Sequence, residues 1–166
     1  MILKYDKLTT SIEDLKELDR TNPYNVVGAF IQTIIEYDPK NSKDFYEKLQ
    51  FLVGEQQELT EVMKQNIKDR MLQNDKYPYI GKSYFKGATP ENDYTPQEPY
   101  ELEIKNNIYV DSEAGFQKLM LKSGGADSER SIMLRVAKDN KYYIWSDSFM
   151  GLLMDIKQPE STNPWK

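Results

Sequence analysis

The chain holds no histidine and no cysteine in 166 residues, so its chemistry is left to carboxylates, lysines, arginines, tyrosines, serines and threonines. That excludes a Ser-His-Asp triad, an imidazole base, a thiolate nucleophile, disulfides and metal sites of the Cys or His type. A carboxylate pair or a lysine base still leaves room for catalysis. The richest candidates fall in residues 77–100, where Tyr77, Tyr79, Tyr84, Phe85, Tyr94 and Tyr100 share 24 positions with Glu91 and Asp93. Aromatic faces with polar tips suit a sugar, a nucleobase or a peptide, and nearby carboxylates suit sugar hydroxyls or a cation. The competing role is packing, the commoner use of buried aromatics, with the segment capping a sheet or joining it to helices. Arg135, expected mid-strand opposite Ile144 and on the face away from Leu134, is the best cation for binding an anion or anchoring this segment. The candidate binding set is Tyr84, Phe85, Glu91, Asp93, Tyr94, Tyr100, Arg135 and Trp145; no catalytic residue, metal site or cofactor is expected.

Other patterns carry less. Glu91, Asn92 and Asp93 lack the spacing and the glycine of an EF-hand loop. Ser123-Gly124-Gly125-Ala126-Asp127-Ser128 has neither the lysine nor the helix of a phosphate-binding P-loop, and reads as a hairpin loop between strands. Glu101 and Glu103 sit on the polar face of an alternating strand, where solvated carboxylates are ordinary. Met63, Met71, Met120, Met133 and Met154 read as core filler.

Helices come first among the elements that must position these residues. Thr10 or Ser11 caps a short helix bearing Ile12, Leu15 and Leu18. Asn22-Pro23 starts a second that runs to about Tyr37 and is apolar on more than one face, which predicts a central place in the core. Ser42 caps a third, with Phe45, Tyr46, Leu49, Leu52 and Val53 at helical spacing, Asp44 and Lys48 as an exposed pair, and Gly54 at its end. Thr60 caps a fourth that ends by Pro78. The period then changes to two. Strands are predicted around Tyr100–Ile104, over Phe116–Ser123, around Ile132–Val136 and around Tyr143–Trp145, with a last one at Leu152, Met154 and Ile156. A two-residue turn at Asp139-Asn140 would set Val136 opposite Tyr143 and Leu134 opposite Trp145. Residues 77–99, with four of the eight prolines, are expected to form a structured strap without regular structure.

The prediction is a single α+β domain over residues 1–166: helices over about 10–76, the strap over 77–99, and an antiparallel sheet of about four to five strands over 100–157. A cone-shaped sheet of the nuclear-transport-factor-2-like type suits this order. The net charge of −5 is matched by five carboxylates and no base between Gly87 and Ile104, which argues against nucleic acid. The longest apolar run, Val26 to Ile35, is broken by Gln32 and Thr33, and charged residues follow Met1-Ile2-Leu3 at once, so a soluble, cytoplasmic chain away from membranes is expected. The functional expectation is a non-enzymatic binding or interaction domain for a small molecule or a protein. The alternative is a small enzyme using carboxylates on a glycan or other small substrate.

Ser83-Tyr84-Phe85-Lys86-Gly87-Ala88-Thr89-Pro90-Glu91-Asn92-Asp93-Tyr94-Thr95-Pro96, followed by Pro99-Tyr100, resembles the signature of a bacterial family of uncharacterised domains. Lys122-Ser123-Gly124-Gly125-Ala126-Asp127-Ser128 is similar to a second block of that family, and Tyr143-Ile144-Trp145 and Pro164-Trp165 to weaker landmarks. The resemblance runs from about Asn22 to the end. Members tend to carry a proline soon after Ala-Asp-Ser, where this chain has Glu129-Arg130-Ser131, a departure that concerns loop shape. The family has no established activity, so the resemblance implies no catalytic residues.

Overall fold

The computed structural model describes residues 1–107 and 114–165. Its architecture is α+β, with helices mostly ahead of strands. Helix α1 (Ile12–Lys16) begins with Ser11 and Asp14 each capping the other's backbone. Helix α2 (Pro23–Ile35) begins with Asn22 accepting from Tyr24 N at 2.9 Å. It is buried from Val26 to Ile34, which makes it the central helix that its all-round apolar surface implies. Helix α3 (Lys43–Val53) starts without a side-chain cap from Ser42, and α4 (Glu61–Leu72) starts on Thr60.

Lys48 of α3 differs from its expected exposed role. Its side chain is 4% exposed and its ammonium lies 2.8 Å from both Glu36 and Asp44. Burial alone would lower that group, but the two carboxylates hold it above its usual value.

The strands fall into two antiparallel sheets, and a single cone-shaped sheet is not confirmed. One pairs β1 (Ile2–Tyr5) with β2 (Tyr100–Glu103), Leu3 opposite Leu102. The other runs in the order β3 (Lys105–Asn106), β4 (Phe116–Leu121), β5 (Arg130–Val136) and β6 (Tyr142–Ile144). Strand β1 was not expected, because four residues give little periodicity and the partner lies some hundred positions away. On β5, Arg130, Ile132 and Leu134 are buried with the core, while Ser131, Met133 and Arg135 take the other face.

The β5–β6 turn is one residue longer than predicted. Ala137 N donates to Lys141 O, and Asn140 adopts φ +63° between them. Such a three-residue loop shifts the register, so Val136 faces Tyr142, Arg135 faces Tyr143 and Leu134 faces Ile144.

The predicted last strand is not formed. Ser148–Leu153 is a 3₁₀ helix, and the chain beyond it is extended but joins no ladder. Carbonyls from Leu152 onward are taken by side chains instead. Tyr84 donates to Leu152 O, Arg130 to Met154 O and Asp155 O, Lys76 to Ile156 O, and Tyr94 to Lys157 O. A carbonyl already satisfied in this way has no need of a neighbouring strand.

The strap also departs from expectation. It contains single helical turns at Tyr77–Ile80 (α5), Lys82–Tyr84 and Pro90–Asn92, with Pro78 and Pro90 in first-turn positions where the missing N–H costs nothing. No helix among the described residues is long and apolar enough to cross a membrane.

Candidate functional site

The strap residues are drawn inward and their polar tips are consumed. Tyr84, Phe85 and Tyr94 are 4%, 2% and 0% exposed. Tyr84 donates to Leu152 O at 2.6 Å and accepts from Arg130 at 3.2 Å. Tyr94 donates to Lys157 O at 2.6 Å. Burial pushes both hydroxyls up to about 12. Phe85 packs edge-on against Tyr5 and Tyr100, and Tyr100 donates to Glu98. Asp93 accepts from Ser161 N at 3.0 Å, and Glu91 is exposed on the turn beside it.

The loop after β4 is locked against the strap. Gly124 N donates to Ser83 O at 2.8 Å, Ser123 Oγ to Ser83 Oγ at 2.7 Å, and Gly125 N to Ser123 Oγ at 3.1 Å. A Cβ on Gly124 would sit 2.0 Å from Ala88 O, so only glycine fits there. With these N–H groups used internally, the loop offers no cradle for phosphate. The two longest motifs of the sequence are therefore two halves of one joint.

Arg135 and Trp145 lie elsewhere, on a groove of ≈ 1060 Å³ between α1 and α3 on one side and the β5–β6 hairpin on the other. The Arg135 guanidinium lies 4.6 Å from the Trp145 ring centre and 5.0 Å from that of Phe116. Such stacking holds a cation in place while leaving its N–H groups to solvent. Beside it stands a second stack. The Arg20 guanidinium lies 4.4 Å from the Tyr143 ring centre and 4.7 Å from that of Phe51.

Arg20 is buried and, unlike Arg135, is fully engaged. It donates to Phe51 O, Leu52 O and Tyr142 O, tying the last turn of α3 to β6. Phe51 O and Leu52 O are carbonyls at a helix C-terminus, where a cation is favoured. Burial pulls the Arg20 guanidinium below its usual value, opposed by Tyr143 and Asp139. Gly54, at φ +83°, lets the Tyr143 ring lie on the backbone, since a Cβ there would come within 2.6 Å of that ring. Gln57 closes the outer edge of β6, donating to Ile144 O and accepting from Ser146 N. Asp139 accepts from Lys141 N and the Tyr143 hydroxyl, which hold its carboxyl below the usual carboxylate range.

Five cations line this groove: Lys16, Arg20, Arg135, Lys138 and Lys141. Three carboxylates accompany them, Glu47, Glu55 and Asp139, leaving a surplus of two positive charges in a chain of net −5. Among the described residues Lys16, Arg135, Lys138 and Lys141 take no part in the ion pairs that form.

A second hollow, of ≈ 420 Å³, lies between β2, the end of β4 and the strap. Glu101 and Glu103 both face it, with Lys86 3.3 Å from Glu101. Lys105 and Lys122 complete its charged rim, and Lys105 is engaged with Glu129 at 3.0 Å. Among the described residues no cluster of three or more carboxylates is arranged to hold a metal ion.

The eight candidate residues thus divide: six lie in or beside the strap, and Arg135 and Trp145 share the groove. Sequence reading missed Arg20, Phe116 and Tyr143 as groove formers. Phe116 and Arg135 become neighbours only through the β4–β5 register. Arg20 follows α1 in a connecting segment, where no periodicity marks a buried residue. Comparison with curated proteins and with solved structures gives no match to this chain. A family model does match residues 7–160, spanning helices, strap and sheet, and the chain belongs to the family described as Domain of unknown function (DUF6935).

Proposed function

We propose that this protein is a non-enzymatic binding domain whose ligand site is the groove between α1, α3 and the β5–β6 hairpin. The observation that carries this reading is Arg135, exposed, lying against the edge-to-face pair of Phe116 and Trp145, and outside every ion pair among the described residues. The strap supports the fold and takes no ligand. The groove, with aromatic faces, an oriented arginine and a positive surplus, selects ligands that bring apolar surface and negative charge. The test is Arg135→Glu, compared with the parent in a thermal-shift screen of anionic compounds and peptides. The expected result is an unchanged melting temperature without ligand and loss of every ligand-induced shift. Shifts that survive the substitution place binding elsewhere.

A second reading rests on one observation, that Glu101 and Glu103 share a hollow. Two carboxylates two residues apart on one strand face are spaced about 7 Å along the chain, within the range used by glycoside hydrolases. The Lys86 ammonium weakens it, because it already pairs with Glu101 at 3.3 Å. Hydrolysis of a chromogenic glycoside panel, abolished by Glu103→Gln, is the result this reading requires.

A further inference from the structure

The groove has more to say about its occupant, on the basis that it is the ligand site. Small-molecule sites are largely enclosed, span about 300–1000 Å³, and fix orientation with a few placed polar groups. This one, at ≈ 1060 Å³, lies at the top of that range. Apart from Arg135, its fixed polar groups are largely spent. Gln50 donates to Gly54 O and Gln57 O, Gln57 to Val53 O and Ile144 O, and Arg20 to three carbonyls. No placed donor among these is left to orient a small ligand.

What stays available is of another kind: the exposed parts of the half-buried Tyr143 and Trp145 rings, the Arg135 guanidinium, and the lysine tips of Lys16, Lys138 and Lys141. Tyr, Trp and Arg are the residues that dominate protein–protein hot spots, and a rim of mobile cations steers an oppositely charged partner. Strand addition is not the mode. The outer edge of β6 is already occupied by Gln57 and by Arg20, whose backbone carbonyl accepts from Tyr142 N. The occupant must therefore be held by its side chains.

We infer that the groove binds an acidic peptide segment of a partner protein, one that places an aromatic or leucine side chain against Tyr143 and Trp145 and a carboxylate on Arg135. Its further carboxylates meet Lys138 and Lys141 at the hairpin tip, and Lys16 stands at the opposite wall. Asp139, between these lysines, is occupied by the Tyr143 hydroxyl and Lys141 N, and burial with that hydrogen bond holds the hydroxyl proton on.

The experiment selects a random peptide display library on the full chain. The winners are synthesised and titrated in solution against a Trp165→Phe background, where Trp145 is the sole tryptophan and reports directly from the groove. The expected winners are rich in Asp and Glu with an aromatic or leucine among them. They shift Trp145 emission, bind about tenfold more weakly to Arg135→Glu, and weaken steadily as salt rises. Winners that are neutral or basic, or that bind Arg135→Glu equally well, overturn the inference.

A second arm titrates inorganic phosphate, a nucleoside diphosphate and a sugar acid into the same protein. If one of these moves Trp145 in an Arg135-dependent way and no acidic peptide does, the groove remains the site and the peptide assignment fails. If neither arm moves Trp145, both the peptide and the groove are rejected.

Discussion

The strap and the groove are made from the same materials, aromatic rings around an arginine of β5, and they differ in where the polar tips end. In the strap the hydroxyls of Tyr84 and Tyr94 reach backbone carbonyls of residues 152–157, and Arg130 reaches two more. In the groove Arg135 lies against the edge-to-face pair of Phe116 and Trp145 and its N–H groups meet solvent. Arg130 and Arg135 are five positions apart, an odd number, so the strand sends one inward and the other outward. Density of aromatic residues, so conspicuous in residues 77–100, does not distinguish a site from a joint. The state of the hydrogen-bonding groups does, since a group already paired inside the protein has little to offer a ligand.

The hardest way to break this contrast is at the joint. Gly124→Ala drives a Cβ to 2.0 Å from Ala88 O, a backbone atom that cannot turn aside. A loss of about 3 kcal/mol is expected, at the upper end for overpacking, measured by urea denaturation. Whatever folded protein remains keeps its Trp145 response in the groove. A gentler break removes a single hydroxyl. Tyr94→Phe strands the Lys157 carbonyl and costs about 1–2 kcal/mol by the same measurement. No loss there means that the strap does not hold the closing segment.

The buried tyrosines also set an alkaline limit. Tyr84 and Tyr94 ionise at 10.0 when unfolded and near 12 when folded, so the folded state favours the neutral hydroxyl. Their contribution is complete below pH 10 and is lost as pH rises from about 10 to 12. Chemical denaturation at pH 8, 10 and 11.5 follows it, and a Tyr84→Phe, Tyr94→Phe double variant shows a shallower decline over that interval. An equally steep decline assigns the alkaline limit to other groups, Tyr5 and Tyr46 first among them.

Much of the scaffold is legible in the sequence because its signals are local. Ser11, Asn22 and Thr60 each cap the helix they announce, and the odd–even pattern from Ile132 places Ile132 and Leu134 in the core, though Val136 is only half-buried. What fails is non-local. Strand β1 depends on a distant partner. The segment from Leu152 to Ile156 has a strand-like alternation, but its carbonyls are claimed by Tyr84, Arg130 and Lys76, residues no window around it contains. The β5–β6 register turned on whether the loop held two residues or three, which Asp139-Asn140 alone does not decide. Arg135 is legible as a residue of the face away from Leu134, but a two-residue turn puts Trp145 opposite Leu134, and only the longer loop brings it to the face of Arg135. Their setting is not legible, because it needs Arg20 from one connection and Phe116 from another strand.

The most direct measurement sets the two arginines of β5 against each other. Arg130→Met and Arg135→Met are compared by thermal unfolding and, in the folded protein, by binding of an acidic peptide that shifts Trp145. Arg130→Met is expected to lower stability by about 3 kcal/mol, since Met154 O, Asp155 O and the Tyr84 hydroxyl lose a buried donor, with peptide affinity kept. Arg135→Met is expected to change stability by no more than about 0.5 kcal/mol and to weaken the peptide. The reverse pattern, with Arg135 holding the fold and Arg130 the peptide, would contradict this division.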